Sequence, residues 1–236
     1  MPLFDRNKAS GEITSEVIDD ANGTVERLRA LKVTQIILPQ PDTSSKVSNL
    51  VRCYLQAHLR RCLMFLEAGA AEMEAGRPLA TELCTRAIYE NIATICDFTD
   101  KLKLLCESVD YSGVEQLVTK AAFVTRIPSF ITRHGDDVKA PQILNQIDKM
   151  DKRYPNFREA YDHLSDIVHP NGMGAVIYFS TIGDGYVTFR DCGNMPDRAR
   201  SSLIIAALLL LHVELALFET EQRLQKLSAD ETKRRG

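Results

Sequence analysis

Hydrophobic positions recur at helical spacing along most of the chain. Ile13, Val17, Ala21, Val25 and Leu28 fall on one side of a helix expected over 12–31, with Asn22-Gly23 as its weak point. Val33 to Leu38 is a short apolar run closed by Pro39-Gln40-Pro41, an extended connector. Asp42 to Ser45 offers N-caps for a long helix reaching about Ala75. Its stripe is Val47, Val51, Tyr54, Leu55, Cys62, Leu63, Leu66 and Ala70. Gly76 suits the end of that helix and Pro78 the first turn of the next, so Gly76-Arg77-Pro78 reads as a tight turn between antiparallel helices. The second long helix runs from about Pro78 to Glu107, with Cys84, Ile88, Ile92, Ile95, Phe98, Leu102 and Leu105 on one side. Tyr111-Ser112-Gly113 then breaks the chain. Shorter helical patterns follow at 114–125 and 141–150, separated by a loop containing Pro128 and His134-Gly135-Asp136-Asp137. Pro155 opens a further helix whose stripe is Phe157, Tyr161, Leu164 and Val168, and Pro170 stops it.

After Gly172 the period changes from 3.6 to 2. Val176 to Thr181 and Tyr186 to Phe189 are β-branched and aromatic, and Ile182-Gly183-Asp184-Gly185 between them signals a hairpin. A last helix is expected from Met195-Pro196-Asp197 to about Leu227. Leu203 to Leu211 is apolar all round, the mark of a helix buried on most sides. Extended to Phe218 the run includes His212 and Glu214, and it falls short of the roughly twenty mostly apolar residues that cross a bilayer, so no membrane partner is expected. The pattern therefore predicts an all-α protein, an up-and-down helical bundle with one small β-hairpin near 176–189. Residues 1–41 supply an N-terminal helix and connector, and 42–236 the bundle domain, with the hairpin inserted at 174–191.

Composition narrows this picture. A chain of 236 residues that is 44% hydrophobic buries a sizeable core, and with no Trp and few aromatics that core is aliphatic. A formal charge of -3 argues against a general binder of nucleic acid or anionic membranes. The segment 120–160 runs the other way: Lys120, Arg126, Arg133, Lys139, Lys149, Lys152, Arg153 and Arg158 outnumber its acids. The six cysteines form no C-x-x-C pair, and the first residues hold no apolar signal core; both point to a cytoplasmic protein with reduced thiols.

The reactive side chains concentrate in Tyr161-Asp162-His163-Leu164-Ser165-Asp166-Ile167-Val168-His169-Pro170-Asn171-Gly172. Ser165 and Asp166 precede His169 by one turn, so Asp166 is placed to hold one ring nitrogen and leave the other for acid–base work. At a helix C-terminus the macrodipole favours the protonated ring. The competing reading is a histidine that caps the helix. His163 and His169 are six apart and share no face. No H-E-x-x-H, Gly-rich phosphate loop, G-x-S-x-G or Rossmann fingerprint occurs, so no metal or cofactor is expected. In the second long helix, Glu82, Arg86 and Glu90 stand four apart, which on spacing alone is a solvated salt-bridge row. Asn91 interrupts the apolar face there, either as a satisfied core amide or as the wall of a pocket.

Tyr-Asp-x-Leu-Ser-x-x-x-His-Pro-Asn-x-x-Gly, from Tyr161 to Gly174, together with Arg-x-x-x-Glu at Arg86 to Glu90, resembles the signature of a group of bacterial helical proteins. That group is in turn distantly similar to the HEPN superfamily. The resemblance implies a helical bundle, frequent homodimers, and a pocket for RNA or a nucleotide. In many members it also implies metal-independent RNA cleavage, in others a partner protein in defence or toxin–antitoxin systems. On that footing His169 is general acid or base, positioned by Asp166 beside Ser165. Arg86 stabilises phosphate charge, and Glu90, Tyr161, Asn171 and Asn91 bind substrate. The chain departs from the ribonuclease pattern in having no arginine four to six residues before His169; Arg158 stands at that interval only from His163. The alternative is a non-catalytic binding or assembly module whose Arg86–Glu90–His169 cluster is a buried polar network. A positive, open cleft favours the first reading and a closed, satisfied network the second.

Overall fold

Thr14 begins the first helix, α1 (Ser15–Ala30), by accepting the Val17 N–H on its side chain. The structure is a computed structural model that describes residues 2–37, 44–191 and 195–235. The prolines of the connector, the caps expected at Asp42 and Thr43, and Cys192 lie outside the described residues. Two long helices follow, α2 (Ser44–Glu74) and α3 (Pro78–Glu107), joined as the sequence predicts. Gly76 takes φ +70°, and the Gly76 and Arg77 N–H groups close on the carbonyls of Met73 and Glu72.

α3 is the axis of the molecule. It packs on α2 and also on α4 (Tyr111–Phe123), α6 (Ile143–Asp151), α7 (Phe157–Val168), α8 (Pro196–Leu209) and α9 (Leu211–Arg235). Ile88, Ile92, Ala93 and Ile95 are accordingly wholly buried. Ile18, Ala21, Val25 and Leu28 of α1 join the same core as Val51, Leu59 and Leu66 of α2.

Four elements differ from the sequence reading. Tyr111-Ser112-Gly113 opens α4 and does not break the chain; the break is at Ser108 to Asp110, where Val109 takes φ +53° and Asp110 caps α4 through the Gly113 N–H. The loop expected around Pro128 contains a short helix, α5 (Pro128–His134). Its punctuation acts as a start and a stop, with Pro128 in the first turn and Gly135 at φ +86° after the last. The first strand begins later than expected. Residues Gly172–Ile177 form a π-helical turn, and the hairpin is β1 (Ser180–Gly183) paired antiparallel with β2 (Tyr186–Phe189). Finally, the single C-terminal helix is two, α8 and α9, because the Val213 N–H reaches back only three residues to Leu210 and tightens the ladder there.

Taken as one run, Pro196–Ala229 holds an 18-residue window of mean hydropathy 2.2, long and apolar enough by composition to cross a membrane. In the fold that apolarity also has an internal use: Leu203, Ile204, Ala206, Ala207, Leu210 and Val213 are buried in the core. Among the described cysteines Cys62 and Cys96 are buried thiols, which desolvation pushes up to about 12 and about 11.

Candidate functional site

Arg86 and Glu90 lie one turn apart on α3, with Nη2 and Oε1 3.2 Å apart. Tyr161 on α7 meets them both. Its hydroxyl donates to Glu90 Oε1 at 2.9 Å and accepts from Arg86 Nη2 at 3.1 Å, and the guanidinium carbon stands 5.4 Å from the ring centroid. The Arg-x-x-x-Glu element and the tyrosine that opens the second motif therefore touch in space. Each of the three polar groups has two partners in this clamp, and Tyr161 is 2% exposed.

The next rung of the expected salt-bridge row does not fit that description. Glu82 is wholly buried against α8, and neither carboxylate oxygen has a hydrogen-bond partner. Desolvation pushes its carboxyl up to about 7, against the opposing charge of Arg198. Spacing alone could not show this, because the face α3 turns to α8 is set by tertiary packing.

Beside the clamp, side chains of α2, α3, α4, α6 and the 124–141 segment line a cleft of about 580 Å³, a size suited to a small ligand. Tyr54 and Phe98 form an aromatic wall, their ring centroids 4.4 Å apart. Below them the Asn91 amide donates to the Ala87 carbonyl at 2.8 Å, and its oxygen lies 3.1 Å from His58 Nδ1. With the oxygen as acceptor, His58 carries its proton on Nδ1 and leaves Nε2 as an acceptor. Burial lowers the pKa of His58, so the ring is held neutral. Thr94 bonds Gln146 of α6 at 3.1 Å and completes a polar floor. Asp97 closes one end. Burial raises its carboxyl, but hydrogen bonds from Lys101 and Lys149 outweigh this and leave it below the usual range.

The rim is positive. Arg61, Arg86, Lys101, Lys120, Arg126 and Lys139 line the cleft against Glu90 and Asp97, an excess of four positive charges in a chain that is acidic overall. Local structure explains the placement. After α4, Thr125 pairs with the chain at 138–140 through its N–H to the Val138 carbonyl and its carbonyl to the Ala140 N–H. That bridge holds the two stretches together, and Arg126 and Lys139 both line the cleft. Three of the eight basic residues of 120–160 are taken up by ion pairs: Arg153 with Asp100, Arg158 with Asp148 and Asp162, and Lys149 with Asp97 at the end of the cleft.

His169, Ser165, Asp166 and Asn171 do not line this cleft. His169 is exposed as the C-terminal cap of α7, and its ring makes no hydrogen bond to Asp166, whose carboxylate lies 3.5 Å from Asn171 Nδ2 instead. The Asn171 side chain accepts the Gly174 N–H at 2.8 Å. A Cβ at Gly174 would stand 2.1 Å from the His169 carbonyl oxygen and 2.3 Å from that of Ile167. His-Pro-Asn-x-x-Gly is thus a device that stops α7 and folds the chain onto its last carbonyls. The Ser165 hydroxyl is buried without a partner.

Of the residues singled out in the sequence, the structure gathers Arg86, Glu90 and Tyr161 in the clamp, and Arg86, Glu90 and Asn91 around the cleft. Sequence reasoning missed His58, Tyr54, Phe98 and Gln146 as cleft residues. For His58 a signal existed: it stands four residues after Tyr54 on the same side of α2 as the apolar stripe. Among the described residues no group of three or more His, Cys, Asp or Glu side chains is placed to hold a metal ion. Comparison with protein-family models, with curated proteins and with solved structures gives no match.

Proposed function

We propose that the protein binds a phosphate-bearing ligand, a nucleotide or a short run of single-stranded RNA, in the cleft between α2, α3 and the 125–140 segment. The observation that carries this reading is the excess of positive charge around an aromatic-walled, polar-floored cleft in an acidic protein. Cations at the mouth attract phosphate, and an aromatic wall gives a base a face to stack on. The motifs that resemble the HEPN superfamily support the same ligand class. Binding is favoured over cleavage by His169 with Arg86: the exposed end of α7 is not part of the cleft, and Arg86 is already engaged by Glu90 and Tyr161.

The second reading, a structural polar network, is favoured by the clamp, where Arg86 Nη2, Glu90 Oε1 and the Tyr161 hydroxyl bond one another, while Arg86 Nε is buried without a partner. The two are compatible if the clamp braces one end of the cleft.

The test is equilibrium binding of a labelled ATP analogue and of a labelled single-stranded RNA oligonucleotide, over a salt series, to the wild type and to Arg126→Ala/Lys139→Ala. We expect binding of at least one probe, weakening with salt, and about tenfold or more weaker in the double variant. No binding of either probe, or equal binding by the double variant, overturns the reading. The same RNA incubated with chelator tests cleavage directly.

A further inference from the structure

Two hydrogen-bond acceptors in the cleft are left without a donor. The first is His58 Nε2. The Asn91 amide nitrogen donates to the Ala87 carbonyl at 2.8 Å, and a carbonyl takes only a donor, so the amide cannot be turned over. Its oxygen therefore faces His58 Nδ1 at 3.1 Å, and the ring proton sits on that nitrogen. Nε2 is then an acceptor, and the ring makes no other hydrogen bond among the described residues. The second is Glu90 Oε2. Tyr161 donates to Oε1 at 2.9 Å and Arg86 Nη2 pairs with the same atom at 3.2 Å, so the clamp uses one carboxylate oxygen and leaves the other. Glu90 directly precedes Asn91 on α3, His58 is bonded to Asn91, and all three line the cleft.

A pair of acceptors calls for a pair of donors. On their Watson–Crick edges adenine and cytosine offer a donor beside an acceptor, and uracil a donor between two acceptors. Guanine alone offers two donors side by side, the N1–H and the 2-amino group. We propose that the cleft, taken as the site of a phosphate-bearing ligand, selects guanine: Glu90 Oε2 and His58 Nε2 accept from N1–H and the 2-amino group, while the base stacks on the Tyr54–Phe98 wall. The phosphates then stay with the cations of the rim, Arg126 and Lys139 among them. The floor keeps donors as well. Asn91 Nδ2 and Gln146 Nε2 each spend one proton, on the Ala87 carbonyl and on Asp97, and hold a second, which suits the 6-oxo group of the same base. Adenine in that place sets its N1 lone pair against an acceptor and leaves one of the two unpaired, which is how the site rejects it. The carboxylate makes the stronger of the two bonds, so Glu90 carries most of the selection.

Isothermal titration calorimetry of the full chain with GTP, ITP, ATP and UTP tests this, alongside short oligoadenylate RNA with and without one central guanine. ITP differs from GTP only in lacking the 2-amino group. We expect the guanine ligand to bind about tenfold or more tighter than its counterparts, in the triphosphates if the ligand is a free nucleotide and in the RNA pair if it is a strand. Glu90→Gln supplies a second reading. Its amide oxygen keeps accepting from Tyr161 and Arg86, which puts an NH2 group where Oε2 was. The floor then offers one donor and one acceptor, the complement of adenine. The variant should lose about tenfold for GTP and gain for ATP, a reversal that a merely structural role of Glu90 does not produce. Guanine ligands bound no better than the others by the wild type, or an order of preference that Glu90→Gln leaves intact, overturn the selection. If that binding still weakens in Arg126→Ala/Lys139→Ala, the cleft remains a phosphate-ligand site without base preference. No binding of any of these ligands overturns both. Should Glu90→Gln fold poorly, the wild-type comparison of GTP with ITP and ATP decides alone.

Discussion

Tyr161 donates its hydroxyl proton to Glu90 across the contact between α7 and α3, at 2.9 Å, while the same oxygen accepts from Arg86. The hydroxyl is almost out of reach of solvent, so no water replaces it when it is removed. Tyr161→Phe keeps the ring and its packing but leaves Glu90 and Arg86 with one partner fewer each. The expected cost is about 1–3 kcal/mol of folding stability, read as a lower urea midpoint with an unchanged slope. Ligand affinity in the cleft should change little. An unchanged midpoint would remove the clamp from the forces that hold α7 on α3.

Glu82 makes stability depend on pH. Its carboxyl titrates near 7 in the folded protein because burial disfavours the charge, and near the ordinary glutamate value when unfolded. The folded state therefore holds the proton more tightly. The contribution is favourable below the unfolded pKa and is lost as pH rises toward 7, amounting to about 3 kcal/mol over that window. Glu82→Gln removes the titration. We expect little change in melting temperature at pH 5, a clear rise at pH 8, and a flatter profile between. Parallel profiles for variant and wild type would show that Glu82 is not the group responsible.

The helical stripes were legible because one physical rule, burial of one face, writes them at a fixed period. Ile88, Ile92, Ile95 and Leu102 are core where the spacing put them. The resemblance groups Arg86, Glu90 and Tyr161 in one pocket, but that they meet depends on how α7 crosses α3, which no local pattern encodes. Glu82 shows the same limit from the other side: it reads as one rung of a charged ladder, and only packing against α8 removes it from water. The cleft was least legible. Its cations come from α2, α3, α4 and the 125–140 segment, and Arg126 and Lys139 join the others because Thr125 pairs with the chain at 138–140. The period-2 run at Val176 misled because its first residues are held in a helical turn by the stop that precedes them.

That stop carries its own prediction. Gly174 lies against the last carbonyls of α7, closer than any Cβ permits, and backbone oxygens cannot swing aside as a side chain could. Gly174→Ala should destabilise the protein by about 2 kcal/mol or more. Asn171→Ala, which loses the bond to the Gly174 N–H, should cost about 1 kcal/mol. Thermal melts of the two variants check both the values and their order. Equal, negligible effects would return Asn171 to the list of residues kept free for a ligand.

His58 on α2 and His169, the cap of α7, make opposite forecasts. His169 is exposed, bonded only through its backbone, and outside the cleft. His169→Ala should leave melting temperature and ligand affinity within error of the wild type. His58 is mostly buried, neutral, and tied to Asn91 in the cleft floor. His58→Ala leaves the Asn91 oxygen short of a donor and opens the floor, so both stability and affinity should fall, the first by about 1–2 kcal/mol. The pH dependence has a definite sign. Because burial lowers the folded pKa of His58, the histidine contributes stability above the ordinary histidine value, and that contribution is lost as pH falls through the lowered one. His58→Ala should therefore flatten the acid side of the stability profile. If chelator-resistant RNA cleavage were instead abolished by His169→Ala and spared by His58→Ala, the chemistry would belong to the end of α7, and the cleft would be a separate site.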